Sequence, residues 1–305
     1  MKKDTFKTTG SKRAFIKSLP NHWKPGDFSL FGEVLSEPVR HIAQTVCLLE
    51  SRCNDYAEYL RAIVGQRGER WMAAIDQWNM EECRHGELLR LLCETADPSF
   101  SFQRLMDRYT GLVRYHVPDG KSVRGSLGAE LVARCVVEAL ASTFYRVLAD
   151  ATGTAESRRA FSVLAQDEAR HFGMFLRMLE AEAELTGGMG PMTRCVHALR
   201  RMLALEDDQI MAASWVVARR ADVPLSVHQE ANRYIVRLYR LYRWKHLQLA
   251  ARMLFQTLAV RPTFFRVMIG TTALWLAIKL RWIWARAFTR TTELGVNFLF
   301  EGDLV

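Results

Sequence analysis

The pattern Glu-x-x-His occurs twice in the sequence, at Glu82–His85 and at Glu168–His171. Residues three apart on a helix share one face, so the two side chains of each pair can bind one metal centre. With 20 Glu and 8 His in 305 residues, chance alone yields roughly half of one match. Each match also has an acid directly before its Glu and an Arg directly before its His. A single such pair is more often a solvated surface pair, but two alike pairs among apolar neighbours predict a metal site, since buried carboxylates need a partner.

Two single glutamates complete the candidate set, although either alone would be read as a surface acid. Glu50 lies before the turn near 66–70 by about as many residues as the first motif lies after it. Glu138 and the second motif lie at similar distances before and after the turn near residue 153. At a helical rise of about 1.5 Å per residue, the members of each hairpin come level. Four carboxylates and two imidazoles suit two iron ions or, less often, manganese.

The surroundings of these residues resemble the soluble acyl-ACP desaturases. The segment WNMEECRHGELL at 78–89 is similar to their first iron motif, W-T-A-E-E-N-R-H-G-D-L-L, and DEARH at 167–171 is similar to their second, D-E-x-R-H. Upstream, WKPGDF at 23–28 is similar to the family's W-x-P-x-D-F. The similar segments run in the family's order from about residue 20 to about residue 175.

The resemblance implies a role for each candidate residue. Asp167 would hydrogen-bond His85 and fix the orientation of its ring. Trp23 would either continue that chain to the surface as an electron route or simply anchor the N-terminal arm. The implied ligands are Glu82 and Glu168 as bridges, Glu50 with His85 on one iron, and Glu138 with His171 on the other.

The sequence also departs from the desaturase pattern. The family places a Thr three residues after the third-helix Glu, where this chain has Ala141. Ser142 instead stands one turn after Glu138, as in diiron hydroxylases, so dehydrogenation and hydroxylation both stay open. No similarity is found after about residue 190. That part contains a basic, aromatic run at 233–245, which is either a docking face for an acidic carrier protein or a solvated or lipid-facing helix.

Proline and glycine turns divide the chain into segments with a 3.6-residue apolar period, and no segment alternates like a strand. The sequence therefore predicts an all-α fold. The two Glu-x-x-His motifs with the two single glutamates further predict a ferritin-like four-helix bundle, with additional C-terminal helices. The predicted organisation is an N-terminal arm at 1–37, a diiron core at 38–186 and a helical extension at 187–305 packed on the core. The predicted helices are 38–65, 69–95, 99–116, 126–151, 155–186, 192–221, 225–259 and 263–290.

The composition bounds the function classes. With 49% hydrophobic and 25% charged residues, the chain is neither disordered, collagen-like nor a small disulfide-stapled protein. The net charge of +9 favours an acidic partner, but it is dispersed and no nucleic-acid module is found, so nucleic acid is not expected. The six cysteines form no C-x-x-C pair, and we expect them free, in a reducing compartment. The N-terminus lacks the apolar run of a secretory signal, so we expect a cytoplasmic protein.

The predicted helix at 263–290 is apolar, basic and rich in tryptophan. Only twelve uncharged residues separate Arg266 from Lys279, which is too short a run to span a membrane. Lys279, Arg286 and Arg290 share one helical face. Such a helix either lies on a membrane surface or packs on the protein's own core or on a second subunit. We expect the packed arrangement, with peripheral membrane contact as the alternative.

The candidate metal site predicts a diiron protein, and the resemblance to the acyl-ACP desaturases implies an O₂-dependent oxidase that inserts a double bond into an acyl chain carried on acyl carrier protein. O₂ would be the co-substrate, a ferredoxin-type protein the electron donor, and the assembly a homodimer. One alternative is a diiron hydroxylase or N-oxygenase for another lipid, pigment or metabolite. A second alternative is a non-enzymatic, ferritin-like iron-binding protein, which the long extension beyond the four-helix core disfavours.

Overall fold

The computed structural model describes residues 23–30, 32–113, 120–204, 208–218 and 226–293. Within these ranges the chain is helical and contains no strand, which confirms the predicted all-α fold class. The described helices are α1 (Glu37–Glu50), α2 (Cys53–Val64), α3 (Glu69–Ala96), α4 (Phe102–Leu112), α5 (Leu127–Ala151), α6 (Ala155–Thr186), α7 (Pro191–Leu203), α8 (Asp208–Ala218), α9 (Val227–Tyr239), α10 (Trp244–Thr257) and α11 (Phe264–Glu293).

Three long helices, α3, α5 and α6, match their predicted bounds to within one residue. The start of α5 is capped by Ser126, whose Oγ accepts a hydrogen bond from the Ala129 N–H at 3.1 Å. The end of α6 is set by Gly187, which adopts the left-handed conformation (φ 81°) that favours glycine. Helices α5 and α6 form a hairpin, α1 packs on α3, and α3 packs on α6.

The core consists of two apolar clusters at different levels along these helices. In α3 the residues Trp71 and Ile75 belong to one cluster, whereas Leu88 and Leu92 belong to the other. Helices α5 and α6 divide between the clusters in the same way. The Glu-x-x-His motifs fall between the two levels, so an apolar layer closes the polar residues at each end.

The predicted single helix at 38–65 is wrong, because the chain breaks directly after Glu50. Ser51 turns the chain, and its Oγ donates to the Cys47 carbonyl at 2.7 Å. Gly86 of α3 packs against this break, where a Cβ on residue 86 would lie 3.1 Å from the Ser51 Cα. The break is therefore a product of close approach between two helices rather than of a local proline.

Two other long predicted helices are also wrong. The segment 225–259 divides into α9 and α10, and the Arg243 N–H donates to His246 Nδ1 at 3.0 Å to begin the second helix. The segment 192–221 divides into α7 and α8, with residues 205–207 and 219–221 outside the described residues. Helix α4 is shorter than the predicted 99–116, the last three of which the structure does not describe. Most of the predicted N-terminal arm, residues 1–22, also lies outside the described residues.

The expectation that all cysteines are free is wrong for one pair. Cys53 begins α2, Cys83 lies on α3, and their sulfur atoms are bonded. The break after Glu50 redirects α2 across α3 and brings the two Cα atoms to 5.5 Å, within the range that a disulfide spans. The remaining cysteines are free; they are Cys47, Cys93, Cys135 and Cys195.

The C-terminal helices α9 and α10 pack on α1 and α5 through buried and half-buried polar contacts as well as apolar ones. Helix α10 lies on α5, where Asp150 accepts from Lys245 Nζ at 2.5 Å and pairs with His246 Nε2 at 2.8 Å. Helix α9 lies near α1, where His41 Nε2 is 3.0 Å from Glu230 Oε1. Helix α11 packs on α9 and α10 by the side that carries the buried residues Val267, Thr271 and Ala285. The expected packing on the protein's own core is thus found for that side.

Removal of the Cys53–Cys83 bond should lower stability. The bond closes a loop of 30 residues, for which the restriction of the unfolded chain predicts a loss of about 3–4 kcal/mol in the free energy of unfolding. Denaturant unfolding of the Cys53→Ser/Cys83→Ser variant measures this loss, with Cys195→Ser as the control for loss of a free thiol. Equal stability of the two variants would contradict the pairing.

Candidate metal centre

The six predicted ligand residues converge from four helices into one cluster. They project from α1, α3, α5 and α6 into the level between the two apolar layers, and all are buried except Glu50, which is partly exposed. Within the described residues the cluster forms two overlapping groups, each with ligand atoms within 4.8 Å of one another, and each group could hold a metal ion. The groups are Glu50, Glu82, His85 and Glu168, and Glu82, Glu138, Glu168 and His171.

Both imidazole rings direct Nδ1 into the cluster. His85 Nδ1 lies 3.1 Å from Glu168 Oε1, and His171 Nδ1 lies 2.9 Å from Glu82 Oε1. His171 Nδ1 is also 3.8 Å from Glu138 Oε2. The two ring centroids are 5.5 Å apart. The rings therefore face a shared space that the carboxylates of all four helices border.

The other nitrogen of each ring meets a carboxylate outside the cluster. His85 Nε2 lies 3.4 Å from Asp167 Oδ2, as the resemblance implies, and His171 Nε2 lies 3.1 Å from Glu81 Oε2. Arg170 joins the two acids, with its Nη2 at 2.8 Å from Glu81 and 2.5 Å from Asp167. Carboxylate partners of this kind fix the tautomer and direction of a metal-binding imidazole.

The pKa values of the two outer acids follow from these contacts. Burial alone would raise the pKa of Asp167, but its contact with His85 and the charge of Arg170 outweigh burial and lower it to about 2. Burial likewise opposes ionisation of Glu81, whose pKa its contacts with His171, Gln77 and Arg170 lower to about 2. Both acids are thus ionised at neutral pH and can hold a proton on the adjacent Nε2.

Trp23 continues the Asp167 contact towards the N-terminal segment. Its Nε1 donates to Asp167 Oδ2 at 3.0 Å, and its ring stacks on His85 with centroids 6.1 Å apart. The Arg84 guanidinium lies 5.6 Å from the centroid of the indole ring, and its Nη1 donates to the Trp23 carbonyl at 3.3 Å. The indole is 8% exposed. Trp23 thus contacts Asp167, which in turn contacts His85, as the resemblance implies.

Ser142 lies beside the cluster, but its hydroxyl is engaged elsewhere. Its Oγ donates to the Ala165 carbonyl of α6 at 2.8 Å, and the neighbouring Thr143 Oγ1 donates to the Ala139 carbonyl at 2.8 Å. Both residues are fully buried. The geometry gives Ser142 a helix-joining contact and shows no bond from its hydroxyl to a candidate ligand.

Three residues around the ligands were not predicted from the sequence. Glu81 and Tyr145 contact the ligands His171 and Glu50, respectively, whereas Arg170 contacts the two outer acids. In the sequence, Glu81 and Arg170 stand out only because both motifs have an acid directly before the Glu and an Arg directly before the His. That repeated flanking pattern was the available signal. Tyr145 gave no signal: its hydroxyl donates to Glu50 Oε1 at 2.5 Å from one turn beyond Ser142. Burial and the nearby negative charge of Glu50 raise the pKa of Tyr145, so this hydroxyl keeps its proton.

The donor set fits a pair of divalent cations. Glu82 Oε1, His85 Nδ1 and Glu168 Oε1 are buried, face the shared space and make no hydrogen bond, although charged atoms lie close by. Burial raises the pKa of Glu50, and the charges of Glu82 and Glu168 raise it further; burial and the charge of Glu168 act similarly on Glu138. Carboxylates so crowded need protons or cations between them.

The basic run predicted as a docking face is discontinuous. Tyr234 is buried, and Arg237 is held by Glu230 at 3.0 Å and by Glu37 at 3.2 Å. The run then turns between α9 and α10, and its outward cations are Arg240, Arg243 and Lys245.

No protein-family model matches the chain, and no curated protein matches it significantly. The residues of the site are therefore the basis for assigning a function.

Metal binding at pH 7 should release protons. Burial opposes charging of His85, but contacts with Asp167 and Glu168 raise its pKa to about 10, and carboxylates likewise raise the pKa of His171 well above its usual value. Both rings must lose the Nδ1 proton to bind metal, so at least two protons should leave for each pair of ions. Isothermal titration with Fe(II) in buffers of different ionisation enthalpy counts them. Apparent affinity should also fall as pH falls; affinity independent of pH between 6 and 8 would contradict this.

The outer acids should each control one imidazole. Asp167→Asn should weaken metal binding through His85, and Glu81→Gln should weaken it through His171, each by roughly 10–100-fold. Competition of a chelator for Co(II) measures both, and Glu180→Gln, an exposed acid on α6, controls for the loss of one charge. The assignment fails if both variants bind as tightly as the control.

Proposed function

We propose that the protein is an O₂-dependent diiron oxidase built on a ferritin-like four-helix bundle, acting on an aliphatic acyl chain. One observation carries the proposal: the two groups of candidate ligands share Glu82 and Glu168 and each contains one imidazole. Two shared carboxylates between two sites suit a pair of ions held close together. Along the chain, a helix that contributes a single Glu alternates with a helix that contributes a Glu-x-x-His pair. This is the pattern of ferritin-like diiron and dimanganese proteins.

The donor chemistry suits two iron ions or, less often, manganese, and the resemblance to the desaturases favours iron. Four carboxylates and two imidazoles offer oxygen and nitrogen donors and no thiolate, which disfavours the sulfur-rich sites typical of structural zinc. Cys83 stands next to Glu82 in sequence, but its sulfur is bonded to Cys53. Two ferrous ions bound here would supply electrons to O₂ and the oxidising power to remove hydrogen from an unactivated C–H bond.

The residues around the ions would orient and insulate them. Asp167 and Glu81 would hold the two rings through Nε2, and Arg170 would hold both acids. Trp23 would link the site to the N-terminal segment as the electron route from a ferredoxin-type donor. The apolar layers on both sides of the cluster would exclude bulk water and accept an aliphatic chain.

Desaturation is the reaction that the resemblance to acyl-ACP desaturases favours. The acyl chain would lose one hydrogen from each of two adjacent carbons, and O₂ would be reduced to two waters with two electrons from the external donor and two protons from solvent. The outward cations Arg240 and Arg243 would suit an acidic carrier protein, whereas Lys245 is paired with Asp150.

A second candidate function of the same centre is that of a diiron hydroxylase or N-oxygenase. The observation that favours it is the place of Ser142, one turn after Glu138, where the desaturases have a differently placed Thr. The two reactions leave different products: desaturation lowers substrate mass by two hydrogens, and hydroxylation adds one oxygen.

The direct test supplies iron-loaded protein with acyl-ACP of several chain lengths, ferredoxin, its reductase and O₂, and identifies the released fatty acids by mass spectrometry. We expect a new double bond with the native chain and with Glu180→Gln. The Glu138→Ala variant should bind less iron and give no product, because one carboxylate of the second group is lost.

Other outcomes decide between the alternatives. A product with one added oxygen would favour the hydroxylase. Oxidation of iron with no product from acyl-ACP or any other aliphatic substrate, in a very large assembly by size-exclusion chromatography, would support the ferritin-like iron-binding protein. Full iron occupancy in both Glu138→Ala and His171→Ala would refute the ligand assignment.

A further inference from the structure

Helix α11 presents an unusually apolar surface. Of twenty exposed large hydrophobic residues in the described part of the chain, nine lie on this one helix. Among the described helices, it alone is long and apolar enough to cross a membrane, between Phe264 and Phe288. Only 11% of its most apolar 18-residue stretch is buried. The run of twelve uncharged residues stays too short to span a membrane by itself, and the helix reaches this length only by continuing through basic residues. Exposed apolar surface of this extent is uncommon on a monomeric soluble protein and marks an interaction site.

The opposite side of α11 is fixed to the protein. Val267, Thr271 and Ala285 are buried there. Gly270 packs so closely on α10 that a Cβ on residue 270 would lie 2.9 Å from the Phe255 ring. Arg281 donates to Asn232 Oδ1 of α9 at 3.2 Å. The helix therefore cannot rotate to bury its outer face, and only that face is available to a partner.

The outer face forms a continuous stripe. Its members recur at intervals of three, four or seven residues, which keeps them on one side of the helix. Over 18 residues at a rise of about 1.5 Å, the stripe is roughly 27 Å long. Its five largest members on that line are 48–77% exposed; they are Phe265, Ile269, Leu276, Leu280 and Ile283.

Cations and tryptophans border the stripe along one edge. Lys279 Nζ lies 5.7 Å from the Trp275 ring and 5.9 Å from the Trp282 ring, and the Arg286 guanidinium lies 5.1 Å from the Trp282 ring. Tryptophan and basic side chains favour the headgroup level of a bilayer, while an aliphatic stripe favours the acyl chains. Arg290, which the sequence places on the same edge, has a side chain outside the described residues.

The charge of this surface selects its partner. The chain contains no Asp or Glu between Arg266 and Glu293. A symmetric contact between two copies of α11 would therefore bring cations to the interface with no acid of the same helix to pair with them. An anionic lipid surface supplies both the apolar layer and the negative charge.

We propose that α11 docks the protein on an anionic membrane surface, with the helix lying in the plane of the bilayer and its stripe inserted between the lipids. An in-plane helix fits better than a spanning one, because α9 and α10 cover its inner side and Lys279 stands in the middle of its length. This attachment is independent of the reaction at the metal cluster, and of whether that cluster binds iron.

The test measures co-sedimentation of the full-length protein with vesicles of phosphatidylcholine alone or with added phosphatidylglycerol. The native chain should bind the anionic vesicles more tightly, and added salt should weaken this binding. Each basic residue near such a surface contributes about fivefold in affinity, so Lys279→Gln/Arg286→Gln should bind roughly thirtyfold more weakly. Leu276→Ser/Leu280→Ser should lose binding to both vesicle types; because both leucines are exposed, the fold should survive, which circular dichroism checks.

The matched control is Arg104→Gln/Arg108→Gln, which removes two exposed cations from α4 and should bind as the native chain does. An equal loss in this control would overturn the proposal, since binding would then depend on net charge alone. Native protein that stays in the supernatant with both vesicle types would also overturn it. So would a dimer that Leu276→Ser/Leu280→Ser converts to a monomer, because a second copy would then occupy the stripe.

Discussion

Four carboxylates and two imidazoles enclosed between two apolar layers are the constraint on which this structure depends. Carboxylates that are buried side by side repel one another and lose their hydration, so they need positive charge among them. In the metal-free protein that charge comes from protons: the pKa values of Glu50 and Glu138 rise, and His85 stays protonated up to about pH 10. Two divalent cations would replace those protons and neutralise the same four carboxylates.

The surrounding structure serves to hold this cluster in one geometry. Glu81, Asp167 and Arg170 form a bridge outside the rings that fixes both imidazoles at once. At the other side of α3, Gly86 lets the chain turn immediately after Glu50. The Cys53–Cys83 bond then ties the redirected α2 to α3 within one residue of Glu82. A rigid frame of this kind suits a site in which two ions must keep their separation.

The sequence predicted the parts of the site that local periodicity determines. Glu82 and His85 must share a face of any helix that contains them. The numbers of residues before and after the turn near residue 153 placed Glu138 level with the second Glu-x-x-His motif. It did not predict the break after Glu50, because Ser51 and Arg52 carry no strong helix-breaking signal and the break depends on how closely Gly86 approaches. The disulfide depends on that break and was missed with it.

The two-ion cluster is the central claim, and anomalous diffraction at the iron absorption edge tests it most directly. Crystals of the protein soaked anaerobically in Fe(II) should give two anomalous peaks, with the side chains of Glu82 and Glu168 in contact with both. His85 should bind one ion through Nδ1 and His171 the other. A single peak, or peaks that lie away from these residues, would contradict the account.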